Sequence, residues 1–242
     1  MNAMKPYVIV PTYNEAPNID NLIRTIRGLE ARPEVIVADD NSPDGTWKVV
    51  EEISKGDPGV HIIRRMSNRS RTWAAIEAFR FALDREGGTH FIEMDGDFSH
   101  DPLEIPKLLE GTRDHDIAVG SRLVAGGGQV GRPWLRELIT QLSTAYARAI
   151  LRLPILDCNS GFRCFRRSAL ERLEFDQIIS LGPSFLHETY HKANLAGMTF
   201  IEVPITFHDR RLGKSKFGLR NFFDGALMAA RIRAAYGIPP KK

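Results

Sequence analysis

Residues 90–100 read His-Phe-Ile-Glu-Met-Asp-Gly-Asp-Phe-Ser-His, "HFIEMDGDFSH". The first five residues are an apolar run of strand length, and the next three are an acidic turn. The same unit recurs on both sides. Residues 7–10, 34–38, 60–63 and 117–119 are further strand-like runs. Between them apolar residues return at helical spacing: Ile19, Leu22, Ile23, Ile26 and Leu29, then residues 46–53, then Trp73, Ile76, Phe79 and Leu83, then residues 103–109. This alternation predicts an α/β fold, a mainly parallel Rossmann-like sheet with helices on both faces. Pro11 is expected to end the first strand, residues 199–207 ("TFIEVPITF") read as a later one, and the glycine-rich stretch 126–132 reads as a mobile loop.

Ligands of such sheets bind beyond the carboxyl ends of the strands. Those ends carry Pro11-Thr12-Tyr13-Asn14-Glu15, Asp39-Asp40-Asn41-Ser42-Pro43-Asp44-Gly45 and Asp95-Gly96-Asp97, which topology brings to one rim. Asp95 and Asp97 on a turn can reach a single hard cation, and Mg²⁺ or Mn²⁺ prefers oxygen ligands of this kind. The competing reading is an acidic turn in which Ser99 or Asp101 caps the helix begun by Pro102. Asp39-Asp40 suits recognition of ribose hydroxyls or a base edge; alternatively Asp44 or Thr46 caps the next helix. Residues 208–216, "HDRRLGKSK", offer Arg and Lys around a glycine, able to clamp phosphate oxygens or to form a solvated basic loop.

At 242 residues, 43% hydrophobic and 26% charged, the chain suits one large domain or two small ones. A net charge of +3 gives no case for nucleic-acid binding. Basic residues crowd the last part, from Arg210 to Lys242, which suits an anionic ligand, an anionic membrane surface or a solvated face. Cys158 and Cys164 lack metal spacing and read as reduced, buried thiols of a cytoplasmic chain. Residues 1–3 are set aside, with Met4 as the expected start; no signal peptide or membrane-spanning run is evident.

Residues 187–191 spell His-Glu-Thr-Tyr-His, a literal H-E-x-x-H. A zinc peptidase needs a third ligand. The extended pattern would put glycine at 194 and histidine at 197, where Asn194 and Gly197 stand, and Glu202 falls in the expected strand. A sugar nucleotidyltransferase would need a glycine-rich, lysine-bearing loop after the first strand, which Thr12-Tyr13-Asn14-Glu15 does not supply.

Together "VPTYNE" (10–15), "VADDNSPDGT" (37–46), "EMDGDFSH" (93–100), "VGSR" (119–122), "NSGFRCFRRSAL" (159–170) and "EVPITFHDRRLGKSK" (202–216) resemble family 2 glycosyltransferases of the GT-A, or nucleotide-diphospho-sugar transferase, fold. Within it they are most similar to the polyprenyl-phosphate (dolichol-phosphate) mannosyltransferases. The resemblance implies a nucleotide pocket of Pro11, Tyr13, Glu15, Asp40 and Asp95. It implies metal ligands Asp95 and Asp97, with Ser99 as a further ligand for Mg²⁺ or Mn²⁺. Arg122, Arg136, Arg210 and Lys216 become the cations handling acceptor or donor phosphate. Asp157, Ser160, Gly161 and Arg163 line the sugar side. Glu188 stands where relatives carry an acid beside the pocket, orienting acceptor or sugar or pairing with an arginine; Asp97, Arg122, Arg210, Lys216 and Glu188 form the implied catalytic set.

The implied reaction moves a hexose, by analogy mannose, from a nucleotide diphosphate sugar, GDP-mannose favoured, to a polyprenyl monophosphate with inversion. Another donor or acceptor within the family, or a sugar-nucleotide-binding protein without turnover, is the alternative. Two places depart from the pattern: Leu186 stands where relatives often carry Gln, and a loop differs. Where relatives have a glycine-rich run, residues 67–73 read Ser-Asn-Arg-Ser-Arg-Thr-Trp, so that Arg69 or Arg71 adds phosphate contacts or the pocket is reshaped. The expected organisation is a catalytic domain over 4–216 and a C-terminal amphipathic helix and tail over 217–242. The stripe of Phe217, Phe222, Leu227 and Ile232 either meets the cytoplasmic face of a membrane peripherally or packs on the core.

Overall fold

The computed structural model describes residues 4–131, 134–208 and 219–239, with the side chains of 134–136 and 219–223 outside that description. Nine strands and eight α-helices alternate along these residues. They are β1 (Pro6–Thr12), α1 (Ala16–Arg27), β2 (Glu34–Asp39), α2 (Thr46–Gly56), β3 (Val60–Arg64), α3 (Arg71–Leu83), β4 (His90–Glu93), α4 (Ile105–Gly111), β5 (Ile117–Ser121), β6 (Gly128–Val130), α5 (Trp134–Leu151), β7 (Arg163–Arg166), α6 (Arg167–Glu171), α7 (Ser184–Leu195), β8 (Phe200–Pro204), β9 (Thr206–His208) and α8 (Leu219–Tyr236).

The main sheet has the order β3-β2-β1-β4-β7-β5-β8, parallel except for β7, which runs antiparallel to both β4 and β5. Strands buried on both faces read as continuous apolar runs: Tyr7, Val8, Ile9 and Val10 are all fully buried. One core gathers Ile9, Ile36, Phe79, Phe91, Phe165 and Tyr190; the other gathers Val8, Leu22, Val37, Ile92, Leu108 and Phe162. Ala229 and Ile232 of α8 are buried in the first core, so the last helix is tied to the body of the fold.

Three expectations are corrected. β1 continues through Pro11 to Thr12. The Thr12 carbonyl accepts from Asp40 N–H on the β2 side, so alternation turns Pro11, which has no N–H, toward β4, whose pairing ends at Ile9–Glu93. The glycine-rich stretch holds β6, which pairs in parallel with β9 in a separate two-stranded sheet. The expected strand 199–207 is accordingly two strands: β8 completes the main sheet, and β9 leaves it after Ile205.

Candidate active site

The first two strand tips are sewn together by side chains. Asp39, fully buried, accepts from Thr12 Oγ1 at 2.9 Å, Ser42 N at 2.8 Å and Ser42 Oγ at 2.6 Å. Asn14 N donates to Ser42 Oγ (3.0 Å), Glu15 N to Thr46 Oγ1 (2.9 Å) and Ala16 N to Asp44 Oδ2 (3.0 Å). Asn14 and Asn41 take positive φ, 64° and 52°, as the turning chain requires. Asp39 is thereby consumed in structure. Asp40 is 7% exposed and paired with the Arg65 guanidinium, which also grips Glu77 at 2.8 Å. Burial pushes the Asp40 carboxyl up, against the pull of Arg65.

Beside these tips lies a cavity of about 690 Å³, lined among others by Tyr13, Asn41, Asp44, Trp47, Arg64 and Arg69. The Arg64 guanidinium lies 3.5 Å from the Trp47 ring centroid and donates to Asn41 Oδ1 at 2.8 Å. The pair makes a flat cationic wall suited to a planar ring or an anion. Tyr13 is 55% exposed at its edge.

The β4 tip is the electrostatic centre. Glu93, fully buried, meets Arg163 on β7 at 2.8 Å and Arg71 on α3 at 3.0 Å; Arg71 also reaches Asp95 at 2.8 Å. The result is an alternating chain Asp95–Arg71–Glu93–Arg163. Asp97 Oδ1 accepts from Ser99 N at 3.0 Å, and Phe98, at φ 59°, turns the chain. Asp101 supplies the helix cap, accepting from Leu103 N at 2.9 Å. Ser99 is not needed for capping, and its Oγ is buried without a hydrogen-bond partner among the described residues. His100 stacks on Phe162 at 5.1 Å and accepts from Asp95 N through Nδ1 at 3.1 Å, and burial pushes its pKa down, which keeps it neutral. Gly96 is closely packed: a Cβ there would lie 3.2 Å from Thr12 Cγ2 and 3.4 Å from Glu15 Cγ, so those side chains would have to give by a few tenths of an ångström.

A divalent cation fits this donor set. Asp95, Asp97 and Ser99 offer hard oxygen at one turn. Among the described residues no group of three or more His, Cys, Asp or Glu side chains forms a complete protein cage. An ion here would need ligand oxygens as well, the usual situation for Mg²⁺ with phosphates.

Other expected residues fall differently. Arg122 closes on Asp157 with Nε and Nη2 both at 2.7 Å, and Asp157 is fully buried. Its backbone N–H and that of Leu156 donate to Glu202 at 2.9 and 2.6 Å. Asp157 is therefore the counter-ion of Arg122 and offers no open face to a sugar. Arg163 is 0% exposed among Phe165, Phe185 and Tyr190, at 5.1–5.2 Å from their rings, a core cation rather than a pocket lining. Ser160 and Gly161 are buried; Tyr190 Oη donates to the Ser160 carbonyl at 2.8 Å, and Gly161 lies against Arg71.

Glu188, fully buried, accepts from Ile179 N (2.9 Å), Ser180 N (2.8 Å), Ser180 Oγ and Tyr236 Oη (2.6 Å). It knits a turn to α8, and among the described residues it meets no arginine. His187 Nε2 faces Asn159 Oδ1 at 2.9 Å, while His191 faces the carbonyls of Leu151 and Gly237, each at 3.1 Å. The three residues of the H-E-x-x-H pattern thus have separate partners and no common ligand point. Cys158 and Cys164 are free, buried thiols pushed up to about 12 by burial. Arg210 and Lys216 lie outside the described residues, as does the side chain of Arg136. The chain reaches that segment from the β4 tip, since His208 N donates to the Ser99 carbonyl at 3.1 Å.

Sequence reasoning passed over Glu93, Arg65 and His100. Glu93 had a signal, a charge inside an apolar strand run, which demands a buried partner. Arg65 and His100 had none, because the Asp40 that Arg65 pairs with and the Phe162 ring that His100 stacks on are distant in sequence.

Residues 7–174 match the family model described as Glycosyl transferase family 2. The undecaprenyl-phosphate mannosyltransferase of Micrococcus luteus is 37% identical over 213 residues, 88% of this chain and 87% of that protein. The polyprenol monophosphomannose synthase of Mycolicibacterium smegmatis is 35% identical over 225 residues, 92% of this chain and 84% of that protein. Among solved structures, a mannosyltransferase from Pyrobaculum calidifontis in complex with GDP-Man and Mn²⁺ superposes with a TM-score of 0.66 at 22% identity. That match covers 98% of this chain and 66% of the longer one, and it shows the GT-A fold.

Proposed function

The chain belongs to glycosyl transferase family 2, and from that premise we propose that it moves mannose from GDP-mannose to a polyprenyl monophosphate with inversion of the anomeric centre. The observation that carries this reading is the meeting of Asp95, Asp97 and Ser99 at the end of β4, on the same rim as the cavity walled by Trp47 and Arg64. The names of the two relatives at 35–37% identity support the sugar and the lipid acceptor.

In this reading the nucleoside lies in the cavity, with Tyr13 at its edge, and Asp40, fixed by Arg65, stands next to the Asn41 that lines it. Asp95, Asp97 and Ser99 would hold Mg²⁺ or Mn²⁺, and the ion would supply positive charge for the departing diphosphate. An oxygen of the acceptor phosphate attacks the anomeric carbon from the face opposite the nucleotide. The new phosphate–sugar bond forms as the sugar–diphosphate bond breaks. That phosphate has a second pKa of about 6 and is already largely anionic near neutral pH, so no side chain has to take a proton. Arg122, Arg136, Arg210 and Lys216 are assigned to hold the two phosphate groups, Arg122 from a fixed pose on Asp157. Among the described residues no helix is long and apolar enough to cross a membrane. We assign the approach to lipid to a peripheral surface including α8, where Leu227 is exposed.

The test is a transfer assay with several nucleotide sugars, Mg²⁺ or Mn²⁺ and a short polyprenyl monophosphate. Chelator-sensitive formation of mannosyl phosphopolyprenol from GDP-mannose is expected. Tight nucleotide binding with neither transfer nor donor hydrolysis would overturn the reading in favour of a binding protein without turnover.

A further inference from the structure

Arg71 stands in the stretch that departs from the family pattern, at the first position of α3. A cation is disfavoured there, because the helix N-terminus is itself the positive end of the dipole. Its surroundings nevertheless hold it in place. The Ser70 hydroxyl accepts from Trp73 N at 3.2 Å, and Thr72 Oγ1 accepts from Gly182 N at 3.0 Å, so the start of the helix is pinned on both sides. The guanidinium then reaches Asp95 Oδ1 with Nη2 at 2.8 Å and Nε at 3.1 Å. Room for it comes from Gly161, where a Cβ would lie 2.7 Å from Arg71 Nη2. Glu93, the other carboxylate it touches, already has a fully buried partner in Arg163. Neutralising Glu93 therefore does not account for Arg71, whereas Asp95, on the open side of the chain of charges, does. The Arg71 side chain is itself 34% exposed, so the pair faces the rim.

We propose that Arg71 is a resident cation of the donor site: it occupies Asp95 until a nucleoside diphosphate draws the guanidinium onto its phosphates, so that nucleotide and divalent ion load together. The proposal rests on the reading of Asp95 and Asp97 as the diphosphate–metal site. A cation on Asp95 repels an incoming divalent ion and engages one of the oxygens it needs. An anionic diphosphate reverses both effects, because the guanidinium finds a bidentate partner there. The two ligands are then positively coupled, and by linkage each raises the affinity of the other equally.

The experiment measures Mn²⁺ binding to the full chain by electron paramagnetic resonance with and without GDP, and GDP binding in EDTA by calorimetry. Wild type, Arg71→Met and Gly161→Ala are compared. Wild-type protein should bind Mn²⁺ weakly alone and much more tightly with GDP. Arg71→Met should bind Mn²⁺ alone about tenfold more tightly, lose most of the coupling and bind GDP in EDTA about tenfold more weakly. Gly161→Ala moves the guanidinium off Asp95 without removing it, since the clash falls on the end of a flexible side chain. It should tighten Mn²⁺ binding as Arg71→Met does, with GDP binding in EDTA near wild type, and it serves alone if Arg71→Met does not fold. Unchanged Mn²⁺ affinity and coupling in the folded variants would overturn the proposal while leaving the site reading intact. A wild type that binds neither Mn²⁺ nor GDP in any combination would overturn the site reading, and the proposal with it.

Discussion

Two acid-bearing segments of this molecule, the β4 tip and the first turns of α7, invite the same metal-centred reading and have opposite fates. At the β4 tip, Asp95 and Asp97 project from the end of a central strand, and the groups around them are an arginine one-third exposed to the rim, a serine hydroxyl without a hydrogen-bond partner among the described residues and a neutral histidine. On α7, Glu188 receives two backbone N–H groups and two hydroxyls, while His187 and His191 point at separate oxygens. A carboxylate ringed by fixed donors has been spent on holding the fold. A carboxylate paired with the end of a flexible cation at a sheet edge can still change partners. The state of the partners, more than the spelling of the motif, separates a site from a strut.

The contrast is broken most directly by exchanging the loss. Asp97→Asn should lower kcat of mannosyl transfer roughly 1000-fold, the scale of losing one charge-stabilising group, with a melting temperature close to wild type. Glu188→Ala should do the reverse. It strands the N–H and hydroxyl of the fully buried Ser180 and removes one partner each from Ile179 N–H and the Tyr236 hydroxyl, the latter keeping the Gln177 carbonyl, at a cost of about 3 kcal/mol. That corresponds to a fall of roughly 6–12 °C in Tm for a domain of this size. Near-normal kcat per folded molecule would accompany it. A Glu188→Ala protein with an unchanged Tm and no transfer would return Glu188 to the catalytic set.

How much of this was legible in the sequence follows the range of the interactions. The parallel strands and their helices could be read because buried strands and amphipathic helices carry their periods locally. The rim could be read because acids recur after the first, second and fourth strands. β7 could not, since a four-residue strand with arginine at both ends looks like surface. Arg163 is tolerated inside only because Glu93, seventy positions earlier, meets it. β6 was hidden for the same reason: Gly128–Val130 becomes a strand through pairing with Thr206–His208. Within the site, neither the locking of Asp39 by Thr12 and Ser42 nor the Arg71–Asp95 pair has a local signature. The residue that departs most from the family pattern thus became the most informative one about how the site is loaded.

The smallest effect separates the two segments by pH. His187 is 4% exposed, and burial pushes its pKa down to about 4. Nε2 donates to Asn159 Oδ1, which leaves Nδ1 bare and without a partner among the described residues; a proton there would have no acceptor. In the unfolded chain the imidazole titrates near 6.5. Between those values the unfolded state binds more protons than the folded one, so stability rises with pH through this window. The His187 contribution is complete above about pH 6.5 and is lost progressively as pH falls toward 4. From pH 7.5 to pH 5 the loss from this group amounts to about 2 kcal/mol. Urea unfolding at both pH values should show that acid-side drop in wild type and a smaller one in His187→Gln, whose amide can still donate to Asn159 and does not titrate. Equal drops in the two proteins would show that the acid limb belongs to other groups, and α7 would lose its place as a purely structural counterpart to the β4 tip.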